Sequence, residues 1–118
     1  MNLIIDIGNT STKLALSTGA TIIKKTRISS PDPALIDRFT DNHPLEGAIV
    51  SSVSYDPSGL ISHLSARCKK VHRLTWQSHF PFGIDYETPE TLGVDRLAAA
   101  AGARVHHPQS DLLVIDAG

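Results

Sequence analysis

Apolar residues begin this chain in a strand-like pattern and later change period. Residues 2–7 (NLIIDI) are nearly continuously apolar, and residues 12–17 (TKLALS) alternate, with Leu14 and Leu16 on one face. Residues 21–28 (TIIKKTRI) follow the turn-like STGA. These runs predict three strands, and connections this short admit only an antiparallel meander. The stretch SSPDPALIDRFTDN then offers Ser and Asp caps, early prolines, and Leu35, Ile36 and Phe39 at helical spacing. GAIVSSV reads as a short buried strand, near 47–52. DPSGLISHLSARC places Leu60, Ile61, Leu64 and Cys68 on one helical face, and a strand near 70–74 follows.

Residues 76–91 are the least regular part, with Pro81, Gly83, Pro89 and the aromatics Phe80 and Phe82. Long irregular segments in compact domains often carry function. TLGVDRLAAAAGARVHH reads as a helix of small residues, and DLLVIDAG as a buried strand at 111–116 ending in a carboxylate and a glycine. Three antiparallel strands followed by α/β units make an α/β fold with a mixed sheet, of the ribonuclease H-like kind.

Composition narrows the classes. The chain has 118 residues, 41% of them hydrophobic, enough for one modest core. Its formal net charge is −1 and its Lys and Arg residues are scattered, which argues against nucleic acid and acidic membrane surfaces as partners. The single cysteine, Cys68, cannot form an internal disulfide, and residues 1–16 carry no leader pattern, so a cytoplasmic location is expected.

Asp6 ends an otherwise apolar strand and is followed at once by Gly8, Asn9 and Thr10. A tight turn here lets the amides of Gly8, Asn9 and Thr10 converge on an anion, with Gly8 supplying close approach and permissive dihedrals. Ser11 and Thr12 add hydroxyls and Lys13 a point charge. Asp6 repels a bare phosphate, so its natural partner is Mg²⁺ carried on that phosphate. An ordinary hairpin accommodates the same residues. LLVIDAG repeats the grammar of NLIIDIG, strand, Asp, small or apolar residue, Gly. Two such turns resemble the device with which the actin, sugar-kinase and chaperone ATPase superfamily grips ATP.

With YETPETLGVDRLAAAAGA between them, the three stretches resemble the N-terminal half of a type III pantothenate kinase, the enzyme that starts coenzyme A synthesis. The resemblance implies an actin-like ATPase fold. It puts ATP on Asp6, Ile7, Gly8, Asn9, Thr10, Ser11, Thr12 and Lys13. It puts pantothenate on Tyr86, Gly93, Val94, Asp95 and Arg96, with Asp95 as proton acceptor, and a monovalent cation, K⁺ or NH₄⁺, on Asp116. It also implies a homodimer. Residues 1–110 then form the first actin-like domain and residues 111–118 open a second, with the family's next motif residue, a threonine, lying past Gly118. A chain of this extent is expected to be inactive alone, and its strand at 111–116, lacking its proper neighbours, to be disordered, tucked back or paired with a second copy.

The chemistry suits those residues. Phosphoryl transfer needs charge neutralisation and in-line placement, and a carboxylate beside the accepting hydroxyl orients it and takes its proton. A helix start favours negative charge at Asp95, and the Arg96 guanidinium offers a fork for a substrate carboxylate. A non-catalytic ribonuclease H-like regulator or scaffold is the competing reading, but it has no use for Asp6, Asp95, Arg96 and Asp116 together. His106 and His107 lack partners at metal-ligand spacing and read as a solvated helix end. Ser51, Ser52 and Ser54 lack a nucleophile-elbow frame. Trp76, Phe80 and Phe82 suit either the lining of a substrate pocket or the cover of a core edge, and the core cover is the expectation.

Overall fold

The computed structural model describes residues 1–117. The short links between β1 (Asn2–Ile7), β2 (Thr12–Thr18) and β3 (Thr21–Ile28) produce the expected antiparallel meander. Two more strands, β4 (Leu45–Ser52) and β5 (Cys68–Arg73), extend the sheet, β4 pairing parallel with β1 and β5 parallel with β4. The order is β3-β2-β1-β4-β5, a five-stranded mixed sheet with β1 at its centre.

Each crossover to a parallel strand passes through a helix, α1 (Pro33–Phe39) and α2 (Ser58–Ser65). The start of α1 follows from its sequence. The Asp32 carboxylate accepts the Ala34 amide at 2.9 Å, and Pro33 occupies the first helical position, where no N–H is needed. At its other end Lys24 donates to the Phe39 carbonyl at 2.7 Å, placing a cation where the last carbonyls are exposed. Asp37 ties the two helices together, accepting from His63 at 3.0 Å and from Arg67, whose other arm donates to Thr40 at 3.0 Å.

Alternation along the strands sends Leu3, Ile5, Ile7, Leu14, Leu16, Ala48 and Val50 into one cluster with Ile36 and Phe39 of α1 and Leu60 and Leu64 of α2. Leu3, Ile36, Val50 and Leu64 are completely buried. Truncating such a residue to alanine costs about 2–5 kcal/mol.

Two expectations are corrected. Cys68 does not lie on the apolar face of a helix: α2 stops at Ser65, and Cys68 opens β5, buried in the core cluster. Its helical spacing from Leu64 coincides with a position that a strand also buries. Residues 111–117 form no strand, and Leu113 and Ile115 are 87% and 78% exposed, because no neighbouring strand pairs with them among the described residues.

The chain divides into two compact units, Met1–Leu74 and Thr75–Gly118. The first is the sheet with α1 and α2. The second holds the irregular segment, a single 3₁₀ turn (Pro89–Thr91) and α3 (Val94–His106), whose buried residue is Leu97. Among the described residues no helix is long and apolar enough to cross a membrane.

Candidate functional site

In the first unit, the β1–β2 turn is closed by the Gly8 amide donating to the Ser11 carbonyl at 3.0 Å. This differs from the expected cradle: the Gly8 N–H is spent inside the turn, and Gly8 does not adopt a positive φ. A Cβ at Gly8 would stand 3.3 Å from Ser11 O, so glycine serves close packing of the turn on itself. Asn9 and Thr10 remain at the exposed tip, whereas Ile7 and Thr12 are buried in the strand ends at 2% and 1% exposure. Ile7 and Gly8 can therefore reach a ligand only through backbone.

Asp6 sits between core residues Ile5 and Ile7 and so points from the opposite face of the sheet. Its register partners are Lys13 on β2 and Ser51 on β4, and Lys13 Nζ lies 3.7 Å from its carboxylate. This explains a charge within a buried-looking strand: only one face of β1 is core. Asp6 and Lys13 share a pocket with Lys25 and Arg27, whereas Gly8, Asn9, Thr10 and Ser11 line a separate pocket of about 260 Å³. The predicted phosphate motif is thus distributed over two adjoining surfaces of the first unit.

The second unit carries the other predicted residues. Gly93 precedes α3, and its carbonyl accepts the Arg96 amide at 3.1 Å. Val94 is the first helical residue and Asp95 stands in the first turn, where its Oδ1 accepts the Arg96 amide at 3.0 Å. A Cβ at Gly93 would lie 2.5 Å from that Oδ1. The glycine keeps open the space that the Asp95 carboxylate occupies. Arg96 is exposed, free of any structural ion pair among the described residues, and Tyr86 is half exposed. Trp76, Phe80 and Phe82, expected at a core edge, lie together in this unit. Phe80 stacks on Phe82 with centroids 5.5 Å apart, and all three line an open pocket of about 530 Å³. The end of α3 is held by Arg104, which donates to the carbonyls of His107, Pro108 and Ser110, and His106 and His107 are exposed beside it.

The family model of type III pantothenate kinases matches residues 2–118. The chain belongs to the type III pantothenate kinase family. A type III pantothenate kinase of Phocaeicola vulgatus is 38% identical over 119 residues, covering 100% of this chain and 49% of its own. One from Bacteroides fragilis is 38% identical over 120 residues, and one from Flavobacterium johnsoniae 35% over 124, each with the same coverage. The chain spans about half the length of these curated relatives.

No group of three or more His, Cys, Asp or Glu side chains gathers among the described residues, so a resident divalent cage does not fit. Magnesium arriving on a nucleotide phosphate keeps most of its water and needs only one or two carboxylates. Asp6 fits that demand, with the buried Ser51 hydroxyl, which has no hydrogen-bond partner, in register beside it. Asp116 lies in the exposed 111–117 segment, and Gly118 of the same motif lies outside the described residues.

Sequence reasoning missed Ser29, Ser30 and Tyr55 and weighed Ser54 only as a nucleophile; all four share the pocket of the β1–β2 turn. The signal that could have found them is topological. Each follows a strand running in the same direction as β1, so all leave the sheet at the same end.

Proposed function

We propose that this chain is the half of an ATP-dependent pantothenate kinase that holds the nucleotide phosphates and pantothenate, acting in the first step of coenzyme A synthesis. The observation that carries this reading is the Gly93–Asp95 pair at the start of α3, within a family match that runs from residue 2 to 118. Asp95 accepts the proton of the pantothenate hydroxyl as its oxygen bonds to the γ-phosphorus and the bond to the β-phosphate oxygen breaks, leaving ADP. Arg96 grips the pantothenate carboxylate, and Tyr86, Gly93 and Val94 line that site. Residues 6–13 receive ATP, with Asp6 and Asn9–Lys13 contributing side chains and Ile7 and Gly8 backbone. Magnesium bound to ATP would supply charge neutralisation, held from the protein side by Asp6. Asp116 would hold K⁺ or NH₄⁺.

The mixed sheet supports an actin-like ATPase fold, with residues 1–110 as the first domain and 111–118 opening the second. A homodimer in the cytoplasm completes the reading, the small-residue stretch 98–103 of α3 allowing a second helix to approach closely. Since the relatives are about twice as long, residues 1–118 alone are proposed to lack turnover.

The test is Asp95→Asn in the full-length protein, which keeps shape and hydrogen-bonding reach but removes charge and proton affinity. Turnover should fall about 10²–10⁴-fold, the usual contribution of a positioned base, with pantothenate binding changed far less. A near wild-type rate would overturn the assignment of Asp95.

A further inference from the structure

The pocket at the β1–β2 turn has a second wall that the family motif does not contain. β1 and β4 are parallel, and β3 runs in the same direction because each is antiparallel to β2. The segments leaving their carboxyl ends therefore emerge together, the position where open α/β sheets bind ligands. Ser29 and Ser30 follow Ile28, which pairs with Thr12 at the base of the turn. Ser54 and Tyr55 follow β4, and two sets of bonds fix their loop. Val53 donates its amide to the Ile7 carbonyl at 3.2 Å, and the Ser52 hydroxyl accepts the Tyr55 amide at 3.2 Å while donating to the Tyr55 carbonyl at 2.6 Å.

The resulting wall carries hydroxyls and no formal charge, since none of the lining residues is Lys, Arg, Asp or Glu. Seryl hydroxyls on residues that line the same pocket as the turn tip of Asn9 and Thr10 are donors for anionic oxygens. Resting on the reading that this turn receives ATP, we propose that Ser29, Ser30 and Ser54 are phosphate-binding residues. Their hydroxyls hydrogen-bond the phosphate oxygens of the nucleotide from the side facing the turn. The pocket so completed is a neutral phosphate cradle, with Lys13 turned to Asp6 on the adjoining surface.

The experiment is calorimetric titration of the full-length protein with ATP, inorganic triphosphate, adenosine and pantothenate. The Ser29→Ala/Ser30→Ala double variant and Ser54→Ala should each raise the Kd of ATP and of triphosphate about tenfold, as expected for a lost hydrogen bond to a charged group. Pantothenate binding should be unchanged, and Ser54→Thr, which keeps the hydroxyl, should retain ATP affinity. Unchanged ATP affinity in the serine variants, while Thr10→Val weakens ATP, would overturn this inference alone. A loss confined to adenosine, with triphosphate unaffected, would also overturn it. A wild-type protein that binds no ATP, or a Thr10→Val variant that binds it fully, would overturn the parent reading and this inference with it.

Discussion

Gly93 and Asp95 constrain one another at the scale of single atoms. Gly93 has φ −58°, a value any residue adopts, so its identity is not set by backbone strain. What sets it is the Asp95 carboxylate 2.5 Å from where a Cβ would stand. Because that oxygen is the end of a flexible side chain, it can swing away at little cost. Gly93→Ala in the full-length protein should therefore cost about 1 kcal/mol, arising from the N-cap position of α3, where glycine is preferred to alanine, and not from the contact. Its kcat should fall about 10²-fold, the penalty of misplacing a reacting group by about an ångström. Thermal melts beside steady-state kinetics check the split, and an unchanged kcat would show that Asp95 tolerates displacement. The Gly-x-Asp-Arg stretch stood out in the sequence through its flanking motifs and the resemblance they carry, since alone it reads as a helix start with a surface ion pair. The Gly8 amide was not legible, because whether an N–H faces a ligand or closes its own turn depends on a dihedral angle that the letters do not carry. Cys68 makes the converse case: burial and a thiol held above its usual pKa by that burial, despite the opposing Arg67 charge, fit a packing residue in either secondary structure.

Among the elements, α2 shows how a local polar contact becomes a pH dependence. The Asp56 carboxylate accepts from the Ser58 hydroxyl at 2.6 Å and the Ser58 amide at 3.1 Å, and these bonds, with the Arg73 charge, hold its pKa below the usual carboxylate value. A lowered folded-state pKa means a contribution to stability present above the unfolded value and lost as pH falls through the folded one. Wild type should thus be more stable than Asp56→Asn at neutral pH, with the difference vanishing as the carboxylate protonates. Chemical denaturation at several acidic pH values reads this, and a constant difference would refute it. β1, β2, β4 and the helices were legible because periodicity records which side of an element is buried, whereas β3, exposed along most of its length, was legible from its β-branched residues and the turn before it. Residues 111–117 show the limit of such a run, which states that burial is wanted and not that a partner strand is at hand. The Ser54–Tyr55 wall was invisible for a related reason: parallel strand direction is a property of the assembled sheet.

At the scale of the molecule, the sheet of the first unit has its helices on one face, and those helices are not independent. Asp37 in α1 accepts from both His63 in α2 and Arg67 just beyond it, and Arg67 also reaches the fully buried Thr40 after α1. Neither helix exceeds eight residues, too short to persist in water without packing. Opening either one would strip Asp37 of its partners and expose Leu60 and Leu64 or Ile36 and Phe39. In native-state hydrogen exchange the amides of α1 and α2 should then share one opening free energy and behave as a single cooperative unit. Arg67→Ala should let α1 exchange ahead of α2, read as two separate protection levels where the wild type has one. The clamp thus fixes the grain at which the protein breathes: two short helices come off the sheet together or not at all.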